Sequence, residues 1–179
     1  ASPTSLHAGQ AVQMLKAGKH VLCEKPAAPK QREWNKMMEA AERAGVVVLE
    51  AMRPLFGPGY QAVKEHLKSL GTIRLARFSF CQYSSRYDKF KEGIIENAFR
   101  PEFGNGALMD IGIYCAASMI GLFGQPESIR SSSFTLEGSI DGMGNVCADY
   151  DGMLGDILYS KISSGRPGCE IQGENGTLT

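Results

Sequence analysis

Residues 19–26 read KHVLCEKP, an apolar run that predicts a buried strand and ends in Glu24, Lys25 and Pro26. A glutamate and a lysine placed where a parallel strand stops lie at the rim of the sheet, which is where open α/β sheets bind ligands. Proline fixes the backbone just after the lysine and can hold a cis bond, so that the ammonium group keeps a defined position. For the tripeptide alone, a surface lysine followed by a loop proline is the other interpretation.

The helix–strand pattern around this run predicts a parallel sheet. Apolar residues at i, i+3, i+4 and i+7 indicate a helix over residues 6–17, and a second helix over residues 31–44 precedes the buried strand 46–49. Gly18 and Gly45 are placed to end the two helices. Apolar strands that alternate with helices in this way are typical of a parallel sheet with both faces covered.

The pattern changes after Arg53, and we place a domain boundary there, between residues 1–53 and 54–179. Short alternating strands separated by glycine turns predict an antiparallel meander in the last third of the chain. The predicted elements are a helix over residues 59–70, a strand over 73–83, an irregular loop over 84–105, a helix over 108–122 and strands over 128–136, 146–150, 156–163, 169–173 and 177–179.

Composition and charge exclude several classes of partner. Of the 179 residues, 43% are apolar and 21% charged, as in an ordinary globular protein, and the 19 basic and 19 acidic residues cancel. The sequence has no cluster of lysine or arginine with interleaved aromatic residues, which argues against nucleic acid and anionic membranes as partners. It also shows no apolar stretch of about 20 residues, as a membrane span needs, and no basic-then-apolar segment opens it.

The cysteines and histidines predict neither disulfides nor a metal site. The five cysteines are odd in number, widely spaced and without a Cys-x-x-Cys pair, so we expect free thiols in a reducing cytoplasm. The three histidines lack metal-ligand spacing. The chain opens without methionine, directly into a helical pattern, and we therefore expect it to be a piece of a longer protein.

A second candidate site lies in the predicted helix 108–122. Asp110 and Tyr114 are four residues apart, so they stack on one flank of the helix beside its apolar face. Gly112 lies close to that face, where we expect it to permit a close approach by backbone or ligand. A carboxylate beside a phenol suits proton transfer to a hydroxyl or carbonyl group. The other interpretation is a packed tyrosine whose hydroxyl group bonds to Asp110.

Lys25 and Tyr114 together would suit proton transfer better than either residue alone. A nearby ammonium group stabilises a phenolate, and such a pair can take a proton from an alcohol while hydride leaves its carbon. The turn that precedes the first helix, residues 2–7, either lines a cofactor groove or only starts the helix. Arg53 either contacts an anionic ligand or is solvated at the surface.

Four motifs, in order and at matching spacing, resemble the Gfo/Idh/MocA oxidoreductases. They are SPTSLH at residues 2–7, AGKHVLCEKP at 17–26, EAMR at 50–53 and GALMDIGIYC at 106–115. The resemblance extends to IQGENGT at 171–177, and so covers almost the whole chain. Tyr114, where other members have histidine, makes the chain most similar to the branch of dihydrodiol dehydrogenase and glucose–fructose oxidoreductase.

This resemblance implies a fold and an activity. It implies an α/β (α+β) fold, in which the end of a Rossmann parallel sheet is followed by a C-terminal domain with a large, mostly antiparallel open sheet. It implies hydride transfer between NAD or NADP and a sugar, polyol or related alcohol, and a homodimer or higher homo-oligomer formed through the open sheet.

The resemblance also assigns roles to single residues. It implies catalytic roles for Lys25 and Tyr114, and substrate binding by Asp110 together with Lys25. The residues implied to bind the cofactor are Pro3, His7, Glu24, Lys25 and Arg53.

One departure from the family pattern limits these expectations. The Gly-x-Gly-x-x-Gly turn that holds the pyrophosphate at a helix N-terminus is absent from the sequence. We therefore predict that this chain alone binds dinucleotide negligibly and shows no turnover. A different class of function is also compatible with the sequence: a non-catalytic module of the same fold that dimerises or senses sugars.

Overall fold

The part of the chain that the computed structural model describes, residues 2–166 and 168–179, forms five α-helices and eight strands. The helices are α1 (Thr4–Lys16), α2 (Gln31–Ala44), α3 (Pro58–His66), α4 (Tyr87–Lys91) and α5 (Ile113–Phe123). The strands are β1 (Val21–Cys23), β2 (Val48–Glu50), β3 (Ile73–Cys81), β4 (Ser128–Leu136), β5 (Ile140–Tyr150), β6 (Met153–Ser160), β7 (Gly168–Gly173) and β8 (Gly176–Leu178). A π-helical turn, Leu108–Gly112, leads directly into α5.

The first layer is a two-stranded parallel sheet under two helices. β1 and β2 pair in parallel, as the alternating pattern predicts. Leu15 of α1 and Met37 of α2 are fully buried against Val48 and its neighbours. The prediction that both faces are covered is wrong for the described residues, because Leu22 is 72% exposed and Leu49 53% exposed. Successive strand residues point to opposite faces, and both helices pack on one of them.

The second layer is a six-stranded sheet in the order β4-β5-β6-β3-β7-β8. β3 and β6 run parallel, and every other neighbouring pair is antiparallel. The predicted meander is therefore wrong in one respect, since β3 lies between β6 and β7. Ala76 and Phe78 of β3 are buried, and a central position pairs both backbone edges of this apolar strand. The mixed α/β fold with a mostly antiparallel open sheet is confirmed.

The π-helical turn and α5 cover one face of this sheet. Ile111, Cys115 and Met119 project from them into a core that Phe78 and Ile157 supply from the strands. The opposite face is open and carries Leu154, which is 59% exposed, and Leu158, which is 38% exposed. The helices therefore give the sheet one buried face and one face available for association.

Residues 84–105 are more ordered than the predicted irregular loop. They contain the short helix α4 and turns at Asn97–Phe99 and Pro101–Phe103. The rings of Phe90 and Phe99 lie 5.2 Å apart, and Tyr87 packs on both. This small aromatic core orders the segment without any helical periodicity for sequence reading to detect.

The segment Pro101–Phe123 is long and apolar enough to cross a membrane by length and composition alone. A core helix of a soluble protein passes the same test, and Ile111, Cys115 and Met119 of this segment are buried in the core. Gly104 and Gly106, both at positive φ, interrupt the segment, so that its continuous helical part begins only near Leu108.

Candidate active site

Two contacts from different elements hold the loop that carries Lys25. The Lys25–Pro26 peptide bond is cis. The ring nitrogens of His7 face the carbonyl oxygens of Pro26, at 2.9 Å, and of Ser2, at 3.0 Å. The amide group of Ala27 donates to the Glu50 carboxylate at 2.7 Å. α1 and β2 therefore clamp this loop at the carboxyl end of β1, where Lys25 begins its reach toward the second layer.

The π-helical turn positions Asp110 and Tyr114, and a strand residue holds the start of this turn. The amide group of Leu108 donates to the Asp141 carboxylate at 2.7 Å, so that a residue of β5 caps the helical segment. Gly106, at φ +142°, lies against the same carboxylate, and a Cβ atom there would clash with it. π-helical turns inside α-helices are often found at functional sites.

Lys25, Asp110 and Tyr114 come together at the junction of the two layers. The Lys25 ammonium group donates to the Asp110 carboxylate at 3.1 Å and to the Asp110 backbone carbonyl at 2.5 Å. The same Nζ atom lies 4.7 Å from the centroid of the Tyr114 ring, over its face. An ammonium group in this position is attracted to the ring.

Lys161, which follows β6, completes the group. Its ammonium donates to the second carboxylate oxygen of Asp110 at 2.6 Å, and its side chain is 5% exposed. The Asp110 carboxylate therefore bonds Lys25 and Lys161 rather than the Tyr114 hydroxyl, which removes the hydrogen bond that the packed-tyrosine interpretation required.

Asp110 is held as a carboxylate. Burial, the largest influence, would raise its pKa, but the hydrogen bond and charge of Lys161 and the charge and hydrogen bond of Lys25 together lower the pKa below its ordinary value. Two ammonium groups and one carboxylate give the cluster of Lys25, Asp110 and Lys161 one net positive charge.

Two clefts flank this cluster. A cavity of about 890 Å³ is lined by Tyr114 together with Glu24, Arg53 and Phe80. A second cavity, of about 640 Å³, is lined on one side by Pro3 and on the other by Asp110. His7 is 7% exposed and lines neither of these two. Lys25 lines neither cleft but contacts Asp110 and Tyr114, which do, and His7 lies beneath the surface.

Sequence comparisons identify the family. A model of the "GFO/IDH/MocA C-terminal domain" matches residues 60–179, and a model of the "Oxidoreductase family, NAD-binding Rossmann fold" matches residues 1–52. The first of these alone covers more than half of the chain. The chain belongs to the GFO/IDH/MocA family. The resemblance that the four motifs indicate is confirmed.

Named relatives and solved structures agree with this assignment. The chain is 47% identical to the scyllo-inositol 2-dehydrogenase (NADP(+)) IolU of Bacillus subtilis over 99% of its own length and 54% of that protein. It is 30% identical to trans-1,2-dihydrobenzene-1,2-diol dehydrogenase of Xenopus laevis over 90% of the chain and 48% of that protein. The chain spans about half the length of the curated relatives it matches.

A solved structure shows the same fold. The aldose-aldose oxidoreductase of Caulobacter crescentus, complexed with glycerol, superposes with a TM-score of 0.88 at 22% identity. The match covers 99% of this chain and 53% of that one. At this identity the likeness concerns the fold alone.

The family motifs do not include every residue that builds the site in this GFO/IDH/MocA chain. Lys161 and Asp141, which bond Asp110 and Leu108, lie outside the motifs. Glu50, which accepts from the Ala27 amide, lies in the EAMR motif, but sequence reasoning gave it no role. Lys161 directly follows β6, and Lys25 likewise lies just beyond the end of β1, so the position at a strand end was the available signal. The predicted strand 156–163 ran past it and so treated it as a strand residue.

Proposed function

We propose that the protein containing this chain is an NAD(P)-dependent oxidoreductase that transfers hydride between nicotinamide and a CH–OH carbon of a sugar, polyol or related alcohol. The observation that carries this proposal is the meeting of Lys25, Asp110 and Tyr114 between two clefts. A phenol, an ammonium group and a carboxylate in contact supply the proton transfer that such a reaction needs. The NAD-binding family model and the named dehydrogenase relatives support it.

In this proposal, Tyr114, Lys25 and Asp110 each have a distinct role. Tyr114 as phenolate takes the proton of the substrate hydroxyl in the oxidation direction, and as phenol returns it in the reduction direction. Lys25 stabilises the phenolate through its charge and donates a hydrogen bond to the substrate oxygen. Asp110 orients Lys25 and accepts a hydrogen bond from a substrate hydroxyl group.

The residues around the cluster fit the nicotinamide end of a dinucleotide. Glu24, Lys25 and Arg53 follow the carboxyl ends of parallel strands, the usual position of a ligand in an α/β sheet. Pro3 lines the cleft beside Asp110. We propose that these four contact the cofactor and that His7 acts from beneath, by holding the carbonyl groups of Ser2 and Pro26. When bound, the nicotinamide supplies the hydride acceptor or donor.

The two parts of the chain have separate roles in this proposal. We propose that residues 1–53 complete a cofactor-binding domain and that residues 54–179 bind substrate and associate through the open sheet face.

A cytoplasmic location is supported by the cysteines, since all five lie in the described residues and are free thiols.

The decisive test is Tyr114→Phe in the full-length protein that contains this chain. Turnover with NADP or NAD, over a panel of inositols, sugars and polyols, should fall by roughly 10²-fold or more, as for the loss of a general acid–base group. Tyr150→Phe is the matched control, because the hydroxyl group of Tyr150 donates to the Gly124 carbonyl, away from the cluster. Unchanged turnover in Tyr114→Phe would refute the assignment. A wild-type protein without turnover would favour a non-catalytic module.

A further inference from the structure

Lys161 is a buried cation that the proposed reaction does not use directly. Only 4% of the residue is exposed. Its backbone is fixed on both sides, since its amide group donates to the Gly142 carbonyl at 2.9 Å and its carbonyl accepts from the Ser84 amide at 2.8 Å. Its ammonium lies 5.0 Å from the centroid of the buried Phe99 ring. Lysine is almost never this buried unless it is paired, and its partner here is the Asp110 carboxylate.

The two oxygens of Asp110 are divided between two lysines. Oδ2 accepts from Lys161 at 2.6 Å, and Oδ1 accepts from Lys25 at 3.1 Å. This arrangement sets the net charge of the group. Without Lys161 the Asp110 charge would cancel that of Lys25, whereas with Lys161 one positive charge remains beside the Tyr114 ring.

We propose that Lys161 is a positioning residue for hydride transfer: it fixes the orientation of Asp110 and leaves the cluster with the net positive charge that favours the phenolate form of Tyr114. The proposal rests on the proposed function above. The Lys161 side chain is 5% exposed, against 16% for Lys25, so it acts through Asp110 and Lys25 rather than on the substrate.

The other charged groups near Tyr114 do not replace this charge. Glu24, Glu50 and Arg53 line the cleft with Tyr114 and together carry one negative charge. Phe80, which packs on the Tyr114 ring at 5.9 Å, is uncharged. The positive charge beside Tyr114 therefore comes from the cluster, and without Lys161 the cluster would have no net charge to set against the acidic cleft.

The test is the pH dependence of kcat/KM for alcohol oxidation by the full-length protein, in which activity rises as the base loses its proton. In Lys161→Met the rise should move to higher pH by roughly half a unit to one unit, less than the shift of 1 to 3 units that an adjacent charge causes. We expect kcat to fall about three- to tenfold at neutral pH, in line with this shift, while KM stays unchanged. Lys161→Arg should restore the wild-type profile, because it keeps the charge.

A double variant separates charge from structure. Lys161→Met combined with Asp110→Asn removes one charge of each sign, so the cluster keeps the single positive charge of Lys25, which can still donate to the backbone carbonyl of residue 110. Its rate falls because Asp110 is lost, but its pH profile should return toward that of the wild type. If Lys161→Met alone does not fold, the double variant can be compared with Asp110→Asn instead. The net charge of the cluster is one unit higher in Asp110→Asn than in the double variant. The rise of activity with pH should therefore come at lower pH in Asp110→Asn.

Two results would overturn the proposal. The first is that Lys161→Met keeps the kcat and the pH profile of the wild type and loses only thermal stability, because the ion pair would then be purely structural. The other is a pH profile in the double variant that does not follow the net charge. Lys64→Met, which removes an exposed ammonium lying over the Tyr60 ring, is the control and should change neither quantity. Unchanged turnover in Tyr114→Phe would instead refute the proposed function itself.

Discussion

Asp110 is the residue whose charge state the fold determines most directly. Its neighbours lower its pKa despite partial burial. A carboxyl group whose pKa is lower in the folded than in the unfolded state stabilises the fold at any pH above its unfolded pKa, which is near 3.9. This contribution is lost as the pH falls through the folded pKa. Acid should therefore weaken the contact between the two layers at this residue.

We predict that Asp110→Asn reduces the pH dependence of stability in acid. The variant is less stable at pH 7, because Lys161 loses its buried partner. Between about pH 5 and pH 2 its free energy of unfolding should then fall less steeply than that of the wild type, as measured by urea denaturation at each pH. Asp151→Asn, in the exposed turn between β5 and β6, should keep the wild-type slope. Equal slopes for wild type and Asp110→Asn would contradict the prediction.

The residues found from sequence and those missed differ in a physical way. Lys25 and Tyr114 could be recognised because a strand end and a helix face define their positions locally. Lys161 and Asp141 act on partners 51 and 33 residues away along the chain. Such pairs depend on how strands stack, which no local periodicity records.

At the scale of elements, the helical segment around Gly112 depends on a close contact with β6. The sequence predicts a close approach by backbone or ligand at this glycine, whereas the structure places the Tyr159 side chain there. A Cβ atom at Gly112 would lie 2.9 Å from Cγ of Tyr159 and 3.0 Å from Cδ1 of Leu108. Both neighbours belong to the buried core, so neither can move aside freely.

We predict opposite effects of alanine at two helical glycines. Gly112→Ala should destabilise the protein by roughly 1–3 kcal/mol through overpacking. Gly9→Ala, in α1, meets nothing within 4 Å and should stabilise it by up to about 1 kcal/mol through helix propensity. Chemical denaturation of both variants measures the difference. Equal changes in the two would show that Tyr159 does not restrict this helix.

Most elements are predicted within a few residues, and the exceptions have physical causes. The helix over residues 31–44 matches α2 because an amphipathic stripe ends at a glycine in left-handed conformation. The π-helical turn is missed because its apolar pattern hardly differs from that of an α-helix. The position of β3 inside the sheet is missed because strand order depends on pairing between distant segments.

At the scale of the whole molecule, the sheet has one face without a partner in the described residues. Leu154 and Leu158 are exposed there on β6, beside the ion pair between Arg77 and Asp156, whose Nε–Oδ2 distance is 2.9 Å. A sheet face that mixes apolar side chains with paired charges resembles an interface more than a solvated surface.

We predict that this face forms the homodimer. Wild-type protein should scatter light as a dimer, and Leu158→Glu should shift it toward monomer, because a charge would be buried at the contact. Ile120→Glu is the control, since Ile120 is 47% exposed on α5, on the other side of the sheet. A monomeric wild type, or equal dissociation in both variants, would contradict the prediction.

The cap that Asp141 places on the helix start has a consequence for protein engineering. A designer who transplants the segment from Gly106 to Tyr114 into another scaffold moves the proposed proton-transfer residue but leaves behind the carboxylate that holds its first turn. The counter-charge from Lys161 stays behind as well. The smallest portable unit is therefore the helix together with β5 and β6, and exchange of catalytic parts between such proteins should succeed only when these strands travel with it.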